Sequence, residues 1–252
     1  MEKYLDINED GYSIRCKYYA KDPKAVREIV LCTHGFGGNK ENHSAQKFAE
    51  RLTAKYKHDG VLCFDWPCHG TDARKKLSLA ECLTYLDLAV HYAKDTMGAE
   101  YVDYYGTSFG GYLGLVYLKD HENPFRRIAL RAPGIPMYQL MQNMLTAEDK
   151  KKLAKGKEVL VGFERKMKLD PSFLEELREN DVTACEYFDI ADETIIVQGT
   201  ADEKVPYDVV RQFAEDNVIE FVPVDGGSHI FTNPKHLDFA IHTILTFFAP
   251  EE

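Results

Sequence analysis

The sequence predicts an α/β fold, a mostly parallel twisted sheet with helices on both faces. Three observations carry that prediction. The runs "EIVLCTHG" (28–35), "GVLCFDWP" (60–67) and "ETIIVQGT" (193–200) are rich in apolar residues without alternation, as in strands covered on both sides. Amphipathic helical segments separate them, which implies crossovers between parallel strands. The chain has 252 residues, 44% of them hydrophobic, enough to bury the core of one large domain.

Taken in order, "YLDI" and "YSIRCKYYA" flank the turn residues Asn8-Glu9-Asp10-Gly11 and read as an antiparallel pair. After the strand at 28–35, Ala45, Phe48, Leu52 and Tyr56 mark a helix, followed by the strand at 60–67. Leu79, Leu83, Leu86, Val90, Ala93 and Met97 recur at alternating steps of four and three, the clearest helical period in the chain. Next come the strand "YVDYYG", a helix through "GGYLGLVYLKD" and the strand "RRIALRAPG". The alternation resumes at 193–200, with a helix over 206–216 and the strand "IEFVPVDG". A closing helix then carries Leu237, Ile241, Ile244, Leu245 and Phe248.

Residues 135–188 break this rhythm. "YQLMQNML" reads as helical and "EVLVGFERKMKL" as extended, while "DPSFLEELREND" starts a helix after Asp170 with Pro171 at its first position. Placed between two parallel strands, this segment reads as a small cap over the carboxyl edge of the sheet. Residues 1–134 and 189–252 then form the core.

The net charge of −10 argues against nucleic acid and anionic membrane surfaces as partners. The basic run "DKKKLAKGK" (149–157) reads as a solvated face. "MEKYLDINEDG" has no apolar signal-peptide core, and no window approaches 18 uninterrupted apolar residues. The expectation is a cytoplasmic protein without membrane insertion. Six cysteines (Cys16, Cys32, Cys63, Cys68, Cys82 and Cys185) lack CxxC spacing and read as reduced thiols. Cys63 and Cys68 read as an inward strand residue and a loop thiol rather than a redox pair. No metal site is expected.

The chemistry centres on "VDYYGTSFGGYLG" (102–114), where Ser108 follows an apolar strand and precedes a helix. In that context G-x-S-x-G describes a sharp turn that displays a nucleophile. Gly106 and Gly110 are required where a Cβ would collide with the neighbouring strand or helix, and the helix N-terminus favours a developing oxyanion. A serine nucleophile needs a base, and the base an orienting acid. Asp202 follows the strand at 193–200 and His229 follows the strand at 219–226, so both project from the edge that carries Ser108. The order Ser, Asp, His is that of the elbow motif. Asp192 lies at the wrong end of its strand and Glu203 points elsewhere on the loop, while Asp225 stays open as an alternative acid. His34 and His69 read as loop-holding residues and Asp65 as a brace for its loop.

These features resemble the α/β-hydrolase family over nearly the whole chain. "HGFGGNKEN" (34–42) is similar to the family's His-Gly oxyanion loop, and "FDWPCHGTDA" (64–73) to its D-x-x-G-H-G-x-S segment. Cys68 stands where the family has Gly, and Thr71-Asp72 shifts the small hydroxyl. The resemblance implies that the backbone amides of Phe36 and Phe109 form the oxyanion hole. Within the family the chain looks most like cinnamoyl (feruloyl) esterases and their carboxylesterase and monoacylglycerol-lipase-like relatives.

The reading is a serine hydrolase of carboxylic esters that needs no cofactor. Ser108 is the nucleophile, His229 the base and Asp202 the orienting acid. Hydroxycinnamoyl or short-chain acyl esters are the expected small-molecule substrates, and the expected state is monomer or homodimer. Met137, Leu140, Met141 and Met144 make an apolar stripe in the cap, and Tyr138, Gln139 and Gln142 are candidate polar contacts to substrate. A peptidase or thioesterase of the same fold, or a binding protein that retains the three residues without turnover, are the alternatives.

Overall fold

The computed structural model describes residues 1–72, 74–162 and 165–249. Strands β1 (Glu2–Glu9) and β2 (Tyr12–Ala20) pair antiparallel. Asp10 and Gly11 turn between them at φ 50° and 78°, the left-handed pair that a tight hairpin needs. In chain order there follow β3 (Glu28–Thr33), α1 (His43–Lys55), β4 (Asp59–Phe64), α2 (Leu79–His91), β5 (Tyr101–Thr107), α3 (Phe109–Asp120) and β6 (Ile128–Arg131). Next are α4 (Met137–Met144), α5 (Ala147–Leu153), β7 (Val159–Gly162), β8 (Lys166–Leu169) and α6 (Pro171–Glu179). The chain closes with β9 (Thr194–Gly199), α7 (Tyr207–Asp216), β10 (Glu220–Val224) and α8 (Pro234–Phe247).

Eight strands form one sheet in the order β1-β2-β4-β3-β5-β6-β9-β10. From β4 onward every neighbouring pair is parallel, so the predicted α/β architecture is borne out. Because side chains alternate along each strand, the sheet feeds two cores. One packs Phe48, Leu52, Ile241 and Ile244 of α1 and α8 against Val30, Val61, Tyr105 and Val197. The other packs Leu86, Leu113 and Phe213 of α2, α3 and α7 against Leu31, Leu62, Tyr104 and Ile196. Each aliphatic or phenylalanine side chain among them contributes about 1.5–3 kcal/mol on burial. Helix α3 is buried all round from Phe109 to Tyr117, which explains its uniformly apolar sequence.

The segment between β6 and β9 is tied to the rest by named contacts. The Lys168 amide of β8 donates to the Lys75 carbonyl at 2.7 Å, and the Leu77 amide returns to the Lys168 carbonyl at 3.0 Å. Glu176 of α6 accepts the Leu79 amide at 2.8 Å, so one helix caps the start of another. The Arg165 guanidinium donates to the carbonyls of Gly70, Asp72 and Arg74. As the sequence predicts, Asp170 caps α6 through the Phe173 amide, with Pro171 at the first position. Ala73 of the 64–73 segment, Phe163 and Glu164 of the extended stretch, and the last three residues of the C-terminal core segment lie outside the described residues.

One feature departs from the sequence reading and one adds to it. The helix read through Met97 ends at His91 and continues as a wider turn over Tyr92–Thr96, where the Met97 amide reaches the Tyr92 carbonyl. Helix α5 falls partly within the run read as a solvated face, nucleated by a capping box in which Thr146 and Asp149 satisfy each other's amides. No helix among the described residues is long and apolar enough to cross a membrane. All six cysteines are free, and the neighbour of Cys63 across β3–β4 is Cys32. Their mutual hydrogen bond and burial push the Cys63 thiol well above its ordinary value.

Candidate active site

Ser108 joins β5 to α3 with φ 52° and ψ −112°. This strained left-handed turn is held at both ends: the Ser108 amide donates to the Arg131 carbonyl, and its own carbonyl accepts the Tyr112 and Gly134 amides. The flanking glycines are steric necessities. A Cβ on Gly106 would lie 2.8 Å from the Gly111 Cα, and one on Gly110 would lie 2.5 Å from the Thr33 hydroxyl.

The loops after β9 and β10 bring Asp202 and His229 to the same point. His229 Nε2 lies 3.0 Å from Ser108 Oγ, and His229 Nδ1 lies 2.9 Å from Asp202 Oδ2. The Asp202 carboxylate is fully buried, whereas His229 keeps 13% of its side chain exposed. Burial works against the charged carboxylate. The bonds from His229 and from the Val205 and Lys204 amides outweigh it and hold the Asp202 carboxyl below its ordinary value. Gln198 adds a further donor at 2.9 Å. Asp225 is turned away to the Thr200 hydroxyl. Glu203, which the sequence reading set aside, accepts the His229 backbone amide at 3.1 Å and steadies the histidine loop.

The loops after β3 and β4 build the other wall. Burial lowers the His34 imidazole's pKa, and burial together with His34 pushes His69 down to about 3, so both are neutral near pH 7. His34 Nδ1–H donates to the Gly35 carbonyl at 2.8 Å, and its Nε2 accepts the Trp66 amide at 3.3 Å. His69 Nδ1–H donates to the Pro67 carbonyl at 2.9 Å. Buried Asp65 accepts the Lys40 amide and ammonium and the Thr71 amide, which joins the two loops. Cys68 sits at φ 69°, the backbone region that favours glycine. Phe36 and Phe109 pack edge to face at 5.8 Å, and their amides make no hydrogen bond among the described residues. Phe109 is the first residue of α3, where amides have no intrahelical partner.

Ser108 and His229 open onto a cavity of about 800 Å³. Met137, Leu140, Met141 and Met144 of α4 line it, together with Asn42 and Ser44 at the start of α1, Thr107 and Arg131. Tyr138, Gln139 and Gln142 do not border this cavity. Tyr138 and Gln142 line a separate cleft with Lys150 and Arg178, and Gln139 is exposed and donates to Asn143. At about 100° per residue, positions 137, 140, 141 and 144 share a helix face that 138 and 142 cannot join. Arg131 is a lining residue that the sequence motifs do not mark. Its only signal is a lone cation at the carboxyl end of an otherwise apolar strand. Among the described residues no cluster of His, Cys, Asp or Glu is arranged to hold a metal ion.

Comparison with known proteins agrees with this architecture. Est1E from Butyrivibrio proteoclasticus, solved with ferulic acid bound, superposes with a TM-score of 0.79 at 19% identity, over 96% of this chain and 97% of that one. A monoacylglycerol lipase from Paleococcus ferrophilus gives 0.68 at 17% identity, covering 94% and 98%. Mouse alpha/beta hydrolase domain-containing protein 10 gives 0.68 at 16%, covering 96% of each chain. At such identities the likeness is one of fold. No curated protein matches the sequence. The model of the alpha/beta hydrolase fold family, however, matches residues 28–162, more than half of the chain. The chain therefore belongs to the α/β-hydrolase fold family.

Proposed function

We propose that the protein is a serine hydrolase of carboxylic esters. The observation that carries this reading is the relay from Ser108 Oγ to His229 Nε2 and from His229 Nδ1 to Asp202, at 3.0 and 2.9 Å. His229 takes the Ser108 proton as Oγ attacks the ester carbonyl. Asp202 keeps the imidazole in the tautomer that accepts at Nε2 and offsets the positive charge that forms. The amides of Phe36 and Phe109 receive the oxyanion, each worth about 3–4 kcal/mol in the transition state. His229 then protonates the leaving alcohol, and water enters by the same route in reverse roles to release the acid. No step requires a cofactor.

Residues 135–188 act as the cap in this proposal. The face of α4 that carries Met137, Leu140, Met141 and Met144 forms the apolar side of the cavity. Methionines adapt to acyl groups of different shape. The likeness in fold to a protein that holds ferulic acid and to a monoacylglycerol lipase favours esters with a sizeable apolar part.

The test is hydrolysis of p-nitrophenyl acetate, butyrate and octanoate beside methyl ferulate, with Ser108→Ala as control. Turnover falling by about 10⁴-fold or more in the variant supports the reading. Equal rates in both proteins would refute it. The ranking of the four esters then defines the pocket as aryl, short-chain or lipid-like.

A further inference from the structure

The cavity lining includes a charge that the ester chemistry does not use. Arg131 is 3% exposed and carries a delocalised positive charge on its guanidinium. Its Nε donates to the Tyr105 hydroxyl at 3.1 Å, and its Nη2 donates to the hydroxyls of Ser44 and Thr107 at 3.1 and 3.5 Å. The guanidinium stands over the Phe231 ring at 5.4 Å. Its Nη1 is buried and has no hydrogen-bond partner among the described residues. These hydrogen-bond and ring partners are all neutral.

The other buried cations are treated differently. Lys40 meets Asp65 at 2.8 Å and Lys17 meets Glu2 at 3.1 Å. Among the described residues Arg131 alone of the three buried cations has no carboxylate partner. A buried charge without a counter-ion is destabilising, so its retention calls for an anion supplied from outside the chain. The site is placed to receive one. Arg131 lines the cavity beside Ser44 and Asn42 at the N-terminus of α1, a 13-residue helix whose dipole adds positive potential there. Lys204 borders the same cavity. Of the nearby carboxylates, Asp202 is engaged with His229, and Glu203 accepts the His229 amide. The Arg131 carbonyl accepts the Ser108 amide at 3.0 Å, so the cationic wall and the nucleophile belong to adjacent strands.

We infer that the natural substrate carries a carboxylate besides its ester, and that Arg131 is the specificity-determining residue that receives it. The ligand class is a hemi-ester of a dicarboxylic acid or a similarly anionic ester, its apolar stem against the methionine face and its carboxylate toward Arg131. This inference rests on the ester-hydrolase reading of the same cavity.

The experiment compares mono-4-nitrophenyl esters of glutaric, adipic and suberic acid with neutral 4-nitrophenyl alkanoates of matched length. In the wild type, at least one anionic ester should be preferred in kcat/KM by about tenfold to a hundredfold at low ionic strength, the range of a charge-assisted pair. Arg131→Gln should collapse that ratio toward one, and Arg131→Lys should retain part of it. No anionic preference in the wild type, or a ratio unchanged in a folded Arg131→Gln protein, would overturn the inference. If neither variant folds, the wild-type ratio and its loss with added salt decide alone. If no ester is turned over at all, the catalytic reading fails separately. The anion site is then read from thermal unfolding with free glutarate, adipate and suberate. Stabilisation of the wild type that is lost in Arg131→Gln supports the site, and its absence overturns it.

Discussion

Ser108 shows how much of a site one residue's backbone can hold. Its φ of 52° is tolerated because Arg131, Tyr112 and Gly134 hold the peptide groups on either side. Asp202 does comparable work by charge. Asp202→Asn preserves shape but lets the amide stabilise the wrong imidazole tautomer, and kcat should fall by about 10⁴-fold while the fold persists. The same residue makes a pH prediction. The folded Asp202 carboxyl lies below its ordinary value, so its stabilising contribution is complete above the unfolded pKa of about 4 and is lost as pH falls through the folded value. The gap in urea midpoint between wild type and Asp202→Asn should therefore narrow on acidification from neutral pH. A gap that widens would show that the carboxylate is not stabilised by its hydrogen bonds.

At the scale of elements, helix ends and helix faces decide what periodicity leaves open. Helix α7 ends in a Schellman motif, with the Val218 amide on the Glu215 carbonyl and the Ile219 amide on the Ala214 carbonyl. The position that glycine usually fills is Val218, at φ 57° and 72% exposed. A β-branched residue is strained there and buries little, so Val218→Gly should raise stability by about 0.5–1 kcal/mol, or about 1–4 °C in Tm. A lower Tm would mean that the side chain contributes more than its exposure implies. Helix α4 makes the second prediction. Replacing Tyr138, Gln139 and Gln142 together by Ala should leave KM for every ester within about twofold, because those side chains do not border the cavity. Met141→Trp, on the cavity face, should slow octanoate relative to acetate by about tenfold or more through lost space. Neither result could be argued from the sequence, because the apolar stripe and the polar trio share one short helix and only packing tells which faces the cavity at Ser108.

The whole molecule is a sheet with two different ends. The carboxyl end carries the candidate chemistry, and the amino end carries a knot of charge. There Arg126 bridges Glu28 and Asp103 while Asp59 lies buried nearby. Burial, with Glu28 and Asp103 close by, pushes the Asp59 carboxyl up to about 7. Because the folded state holds this proton more tightly than the unfolded chain does, stability declines as pH rises from about 4 to about 7. Asp59→Asn removes that penalty, and its Tm should gain on the wild type between about pH 5 and about pH 8. A constant difference would remove Asp59 from the account.

The sequence by itself determined the strands, the helices that separate them and the residues offered for catalysis. Continuous apolar runs leave little choice but a covered parallel sheet, and Ser108, Asp202 and His229 each follow a strand in the order that such a sheet collects at one edge. Helix α5 was legible in principle from Thr146 and Asp149, three apart, although its exposed, lysine-rich face hides the helical period. Only the tertiary structure decided which face of α4 lines the cavity with Ser108, that Cys63 neighbours Cys32 rather than Cys68, and that Arg131 is buried without a carboxylate. The reason is physical. Local order depends on neighbours along the chain, whereas the partner of a buried charge, a thiol or a helix face is chosen by residues brought together across it.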